Sequence, residues 1–243
     1  MKICGTVWLL FVTAAMAWTQ GTTFQEQANR LQNINAFLLD FRPNAPPDKV
    51  GEGTFEVALD INPQPSINTR VGNKDEPVDP PSVVPKVRGR YLFSNGLVLG
   101  AAYAPGIEFQ DYKAEFISLE AGFRFVFAKV WHLGVRASYT DGDVEGPITE
   151  PGVEDKFNFT NNGADVSLGR PWRSFVFYGF AGFTDIETDL TVAVDGAFLT
   201  NSENTYYGGL GASYDWKRLR LNFEQNTTDD YLQHVTLSLS YRF

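Results

Sequence analysis

Cysteine is almost missing: the 243 residues hold one, Cys4, so no disulfide can form within the chain. Histidine is nearly as scarce, with only His132 and His234 to serve a metal cluster or a His-dependent hydrolase. Basic residues are outnumbered, 20 against 29 acidic, and this argues against a nucleic-acid partner, because neutralising phosphates needs a surplus of Lys and Arg. Beyond the first 17 residues no stretch approaches 18 consecutive apolar residues, which excludes a transmembrane helix. If the chain enters a membrane, it does so as strands.

What is plentiful points the same way. Aromatic residues reach 14% and Gly numbers 22, a mixture suited to twisted strands and tight turns rather than to a helical bundle. The length allows one large all-β domain or two ordinary ones. Residues 1–17 read as a secretory signal peptide: Lys2 is the positive end, Gly5 to Ala15 the apolar middle, and Ala15-Met16-Ala17 the small-residue cleavage site. Cys4 precedes the apolar run, so the lipoprotein reading, which needs cysteine at the cleavage point, does not fit.

Residues 18–50 divide into a helix and a linker. Phe24, Ala28, Leu31, Ile34, Leu38 and Phe41 recur three or four apart, a helical stripe. The first reading is a short amphipathic helix in the periplasm or a frayed leader; the second is a helix tucked into a barrel mouth. Arg42-Pro43-Asn44-Ala45-Pro46-Pro47 then breaks any helix and forms a stiff linker.

Residues 51–243 read as ten strands, near 53–61, 85–93, 97–104, 112–127, 130–140, 157–169, 174–185, 205–215, 218–225 and the last nine residues. The connections alternate long and short, with tight turns at Ser94-Asn95-Gly96, Ala128-Lys129, Arg170 to Arg173 and Trp216-Lys217. One strand, 174–185, is apolar or small on both faces, and its facing stays open. Trp131, Trp172 and Trp216 all flank short turns, the level at which an amphipathic ring meets lipid headgroups. The final strand alternates without a fault: Val235, Leu237, Leu239, Tyr241 and Phe243 oppose Thr236, Ser238, Ser240 and Arg242.

That closing strand, ending on an aromatic residue, resembles those of bacterial outer-membrane β-barrels, whose insertion machinery reads such an ending. Leu237, Leu239, Tyr241 and Phe243 would form the insertion signal. The resemblance covers roughly residues 50–243 and implies an all-β, closed antiparallel up-and-down transmembrane barrel of about ten strands, with eight as the alternative. Short turns would face the periplasm and longer loops the outside. Trp131, Trp172 and Trp216 would be a periplasmic aromatic girdle. The implied partners are outer-membrane lipid, lipopolysaccharide and the barrel-assembly machinery.

The inward face would carry Glu56, Arg88, Arg90, Glu120, Arg124, Arg136, Arg218, Arg220 and Glu224, with Asp60, Lys86, His132 and Arg242. In a soluble core so many charges would be prohibitive, whereas in a lumen they pair with each other and with trapped water. Ten strands leave little more than a narrow or plugged pore, since open channels need about sixteen.

Other chemistry is weakly supported. Asp141-Gly142-Asp143-Val144-Glu145-Gly146 matches the opening of a calcium loop, but the twelfth position is Gly152, not Glu. The alternative is an acidic surface loop, extended by Glu150, Glu154 and Asp155, facing the cations that bridge lipopolysaccharide. Omptin proteases are ten-stranded barrels with an Asp/His pair at the rim, but here Asp229 and Asp230 precede His234 without that spacing. The lipid A deacylase barrels pair a His with a Ser; His234 with Thr236 and Ser238 is a distant echo. No cofactor is implied. The expectation is a side-chain-filled barrel with a structural or surface-interaction role, against a narrow solute pore or an outer-membrane hydrolase.

Overall fold

The computed structural model describes residues 24–40, 53–63, 83–127, 130–150, 152–228 and 233–243. The expected signal peptide, the Pro-rich linker, the Ala128-Lys129 turn residues and Asp229-Asp230 lie outside them. One helix, α1 (Phe24–Leu39), precedes β1 (Thr54–Pro63), β2 (Val83–Leu92), β3 (Leu97–Ala104), β4 (Glu108–Phe109), β5 (Tyr112–Phe127), β6 (Trp131–Gly146), β7 (Asp155–Trp172), β8 (Phe175–Thr191), β9 (Phe198–Trp216), β10 (Leu219–Thr228) and β11 (Gln233–Arg242). The two-residue β4 is only a ribbon folded onto β5. The other ten close a ring of antiparallel neighbours, completed by β3 with β5 and by β1 with β11.

Closure is what an apolar solvent demands, since an open edge in lipid leaves backbone groups costing several kcal/mol each. The final strand meets the first from Glu56 opposite Arg242 to Ile61 opposite Leu237, and the Phe243 amide donates to the Phe55 carbonyl at 2.9 Å. Tight turns hold one rim. In the β2–β3 turn Gly96 has φ 97°, and a Cβ there would lie 2.3 Å from the Arg124 carbonyl oxygen. No other residue fits that turn without strain.

Side chains sort by level as well as by face. Through the part of the barrel next to the short turns, Leu59, Val87, Leu119, Val135, Leu221 and Leu239 are exposed on the outer face, while Arg88, Arg90 and Arg220 are fully buried inside. The open facing of β8 resolves here: Phe175, Phe177 and Phe183 point out, Val176, Tyr178 and Phe180 in. Phe175 and Phe183 bracket the apolar belt on β8. Eight residue steps of about 3.3 Å give roughly 26 Å along the strand, or about 20 Å of height at a tilt near 40°. That approaches the roughly 25 Å apolar band of outer-membrane barrels.

Above the belt the polarity inverts. On β6 to β9 the outer face becomes Asp141, Asp143, Lys156, Asn158, Glu187, Asp189 and Ser202, and the inner face becomes Val144, Phe157, Phe159, Ile186 and Leu190. The acidic surface loop is thereby corrected. Asp141 to Gly146 are strand, paired with Asp155 to Thr160, so Asp141, Asp143 and Glu145 share one face of an extended chain and cannot wrap an ion as a calcium loop does. Likewise, the connection expected to run from 186 to 204 shrinks to residues 192–197, because β8 and β9 continue to Thr191 and from Phe198. Asp155 turns inward, accepting from the Thr149 amide at 2.8 Å, the Thr149 hydroxyl at 2.7 Å and the Ala193 amide at 2.9 Å.

The helix fills this upper compartment, and the periplasmic reading of it is overturned. Ala28, Leu31, Ile34, Phe37 and Leu38 join Phe116, Phe157, Phe159, Ile186, Leu190 and Tyr207 in one apolar core. Burying each large side chain contributes up to about 1.5–3 kcal/mol. A periplasmic helix would bury one stripe, whereas in α1 both Gln32 and Asn33 are buried too.

Candidate functional site

The candidate site is the lumen, closed at two levels. The lower closure is ionic, and strand register assembles it. Glu56 lies directly opposite Arg90 on one side and Arg242 on the other, so one carboxylate is bracketed by cations. It pairs with Arg90, with Arg88 at 3.3 Å and with Arg242 at 3.2 Å. Arg88 also clasps Asp60 through two bonds of 2.7 and 2.9 Å. From Arg90 the chain of charges continues to Glu120 at 3.8 Å, then to Arg136 at 3.3 Å, Asp165 at 2.6 Å and the Tyr207 hydroxyl at 3.1 Å. On the other side Arg242 reaches Asp215 at 3.5 Å, and Arg220 holds both oxygens of Asp215 at 2.6 and 2.7 Å.

Such a cluster costs desolvation for every member, so it persists only where each charge meets several partners. Part of the remaining lower space is taken by aromatics lying over small residues, Tyr178 over Gly211 and Phe180 over Gly209. Tyr178 donates to Glu224 at 2.6 Å, and a Cβ on Gly211 would sit 2.1 Å from its ring, so glycine is required under it. A cavity of about 30 Å³ lies between Arg90, Glu120, Arg124, Arg136 and Asp165. That is room for about one or two water molecules.

The sequence-expected lumen residues Glu56, Arg88, Arg90, Glu120, Arg136, Arg220 and Glu224 come together here, and Arg124 borders the small cavity half-buried. Arg218 does not. It is exposed at the β9–β10 turn with its guanidinium 3.4 Å from the Tyr241 hydroxyl, because the turn ends one residue later than the alternation suggested. Asp165 and Asp215 were missed, although each alternates with outward residues: Asp165 beside Ala164 and Val166, Asp215 between Tyr214 and Trp216.

The upper closure is α1, packed against the inner wall of the upper compartment. The Thr188 hydroxyl donates to Gln32 at 3.0 Å and the Asn201 amide to Asn33 at 2.7 Å, both high on the wall. Deeper, Asn161 donates to the Ala36 carbonyl at 3.0 Å and Thr140 to the Asp40 carboxylate at 2.7 Å. At the bottom Lys86 donates to the Asp40 carbonyl at 2.6 Å. The last turn of α1 carries no basic residue, so this buried ammonium from β2 complements the negative end of the helix. Lys86 also lies directly opposite Asp60 on β1, so it stands between the two closures.

The histidines fall inside. His132 is buried on the inner face near the short turns, and His234 is buried with its ring edge-on to Phe37 of α1 at 6.0 Å. Its Nε2 lies 3.3 Å from the Thr236 hydroxyl, but α1 covers the pair. No group of three or more His, Cys, Asp or Glu among the described residues could hold a metal ion.

Trp131, Trp172 and Trp216 stand at three successive short turns, each with a cation over the ring: Arg170 at 5.5 Å, Arg173 at 5.3 Å and Lys217 at 5.9 Å. Leu237, Leu239 and Tyr241 face outward, and Phe243 sits 4.9 Å from Tyr241 and 5.9 Å from Phe55.

A closed ring of strands with an apolar belt outside and paired charges inside defines an integral membrane β-barrel, the kind found in outer membranes. No family model matches the chain, and no curated protein does. Among solved structures it is similar to Ail, the attachment invasion locus protein of Yersinia pestis, with 14% identity over 79% of this chain and 99% of that one and a TM-score of 0.36. It is also similar to the KdgM porin, at 10% identity over 78% and 99% with a TM-score of 0.35. For the β domain of the Bordetella autotransporter BrkA the identity is 12%, over 79% and 99%, with a TM-score of 0.49. The barrel itself rests on the strand pairing and the burial described above.

Proposed function

We propose that this protein is an outer-membrane barrel sealed against conduction, exported by a signal peptide removed after Ala17, with a structural or surface-contact role in the envelope. The carrying observation is the pair of closures in series: the ion-pair cluster around Glu56 and, above it, α1 seated in the apolar upper compartment. Outer-membrane lipid and lipopolysaccharide are its surroundings, the outward residues Leu237, Leu239, Tyr241 and Phe243 serve the assembly machinery, and the three tryptophans mark the periplasmic headgroup level. The polar outer faces of β6 to β9 supply the surface-contact part. Recording from the purified protein in planar bilayers tests the reading. It predicts no steady conductance; regular unitary steps from the intact chain would replace it with the narrow-pore reading.

A further inference from the structure

The two rims differ in charge. On the outer faces of the upper ribbons stand Asp141, Asp143, Glu145, Glu187 and Asp189, with Lys113 and Lys156 both paired to Glu145. The short-turn rim instead exposes Arg170, Arg173, Lys217 and Arg218, and among the described residues there Asp215 is already engaged by Arg220 and Arg242. Among the described residues Arg170, Arg173 and Lys217 form no ion pair; each spends its charge over a tryptophan.

The same device occurs twice in one form. Trp172-Arg173 and Trp216-Lys217 each place the cation directly after the tryptophan, at φ 57° and 58°, with Trp172 and Trp216 57% and 60% exposed. Left-handed turn positions favour Gly or Asn, so a long cation there costs backbone energy that the turn alone does not require. The third pair reaches the same level across strands, from Arg170 on β7 to Trp131 on β6.

We propose that this rim is a binding surface for the phosphate of an anionic glycerophospholipid, in the leaflet that faces the short turns. The indole would lie at the boundary of headgroup and acyl chain, and the cation above it would meet the phosphate oxygens. This rests on the membrane reading of the barrel, but not on whether its lumen conducts.

The test uses the full chain in nanodiscs of phosphatidylcholine with a minority of phosphatidylglycerol, and in a parallel set with lipid A added at the same share, counting the lipids retained by native mass spectrometry. Phosphatidylglycerol should be enriched roughly fivefold over its share of the mixture, the factor that about one cation near a membrane surface supplies. The combined variant Arg170→Gln, Arg173→Gln, Lys217→Gln should bring retention down to the bulk ratio while the folded band on an unheated gel stays in place. Exchanging the charges in kind, Arg173→Lys with Lys217→Arg, should keep the enrichment and controls for turn damage. No enrichment in the wild type, equal enrichment in the triple Gln variant, or a Gln-sensitive preference for lipid A over phosphatidylglycerol would each overturn the assignment. Conductance in pure phosphatidylcholine bilayers is read separately, so a failure of the sealed-barrel reading is not mistaken for a failure of this one.

Discussion

The lower and upper parts of the barrel are built from the same strands by opposite rules. On β8, Phe177 faces out and Tyr178 in, as lipid requires; a few residues on, Glu187 faces out and Ile186 in, as water requires. The strand keeps its period of two throughout, and only the solvent changes. A transmembrane barrel can therefore carry, on top of its inside-out section, a small core of the ordinary kind. Here α1 completes that core, much as a helix covers one side of a soluble sheet.

The contrast can be broken most severely from below. Arg88→Ala leaves the buried Glu56 and Asp60 short of a shared cation, and should cost about 3–5 kcal/mol in urea unfolding from detergent. Outward charge separates the two levels next. Leu239→Arg, in the belt, should cost about 2–4 kcal/mol, whereas Ser202→Arg, on the upper ribbon, should stay within about 0.5 kcal/mol. Equal costs at the two sites would remove the distinction.

A smaller effect lies at the junction. Lys86→Met removes the ammonium beneath α1 and the charge-assisted bond to Asp40, about 1.5–3 kcal/mol. Amide exchange in α1 should quicken about tenfold or more while the strand amides stay protected; an unchanged helix would mean that apolar contacts alone seat it.

The smallest effect is a matter of pH. Partial loss of water, together with the neighbouring Glu115 and Glu145 carboxylates, pushes the Asp143 carboxyl up from its ordinary value. An acid raised in the folded state binds more protons folded than unfolded, so its contribution falls as pH rises through that window and is unfavourable at neutral pH. Asp143→Asn should therefore stabilise by up to about 0.5 kcal/mol at pH 7 and by nothing in acid, measured by unfolding at the two pH values.

How much of this was legible in the sequence follows from the same contrast. The lower section announced itself in the alternation of Leu237 to Phe243 and of Arg88 and Arg90 against Val87 and Tyr91, since lipid outside and charge inside give a strong period-two signal. The upper section hid because its acids, Asp141, Asp143 and Glu145, look like a loop when strands are sought by an oily outer face. Among the lumen partners, Asp165 and Asp215 alternated as they should but carried no oddity to single them out. Arg218 misled because nothing in the residue types says whether a turn ends before or after it. The stripe of α1 predicted a helix, but no stripe names the surface it meets; that took the apolar inner wall of β7 to β9.

The most direct test of the inversion is a walk down the outward positions of β8. Single spin labels at Phe175, Phe177, Ala181, Phe183, Asp185, Glu187 and Asp189 of the protein in bilayers, compared for collision with oxygen and with a water-soluble nickel chelate, should give a lipid signature up to Phe183 and a water signature from Glu187 onward. A strand that reads as water-exposed along its whole length, or lipid-exposed through Asp189, would contradict the account.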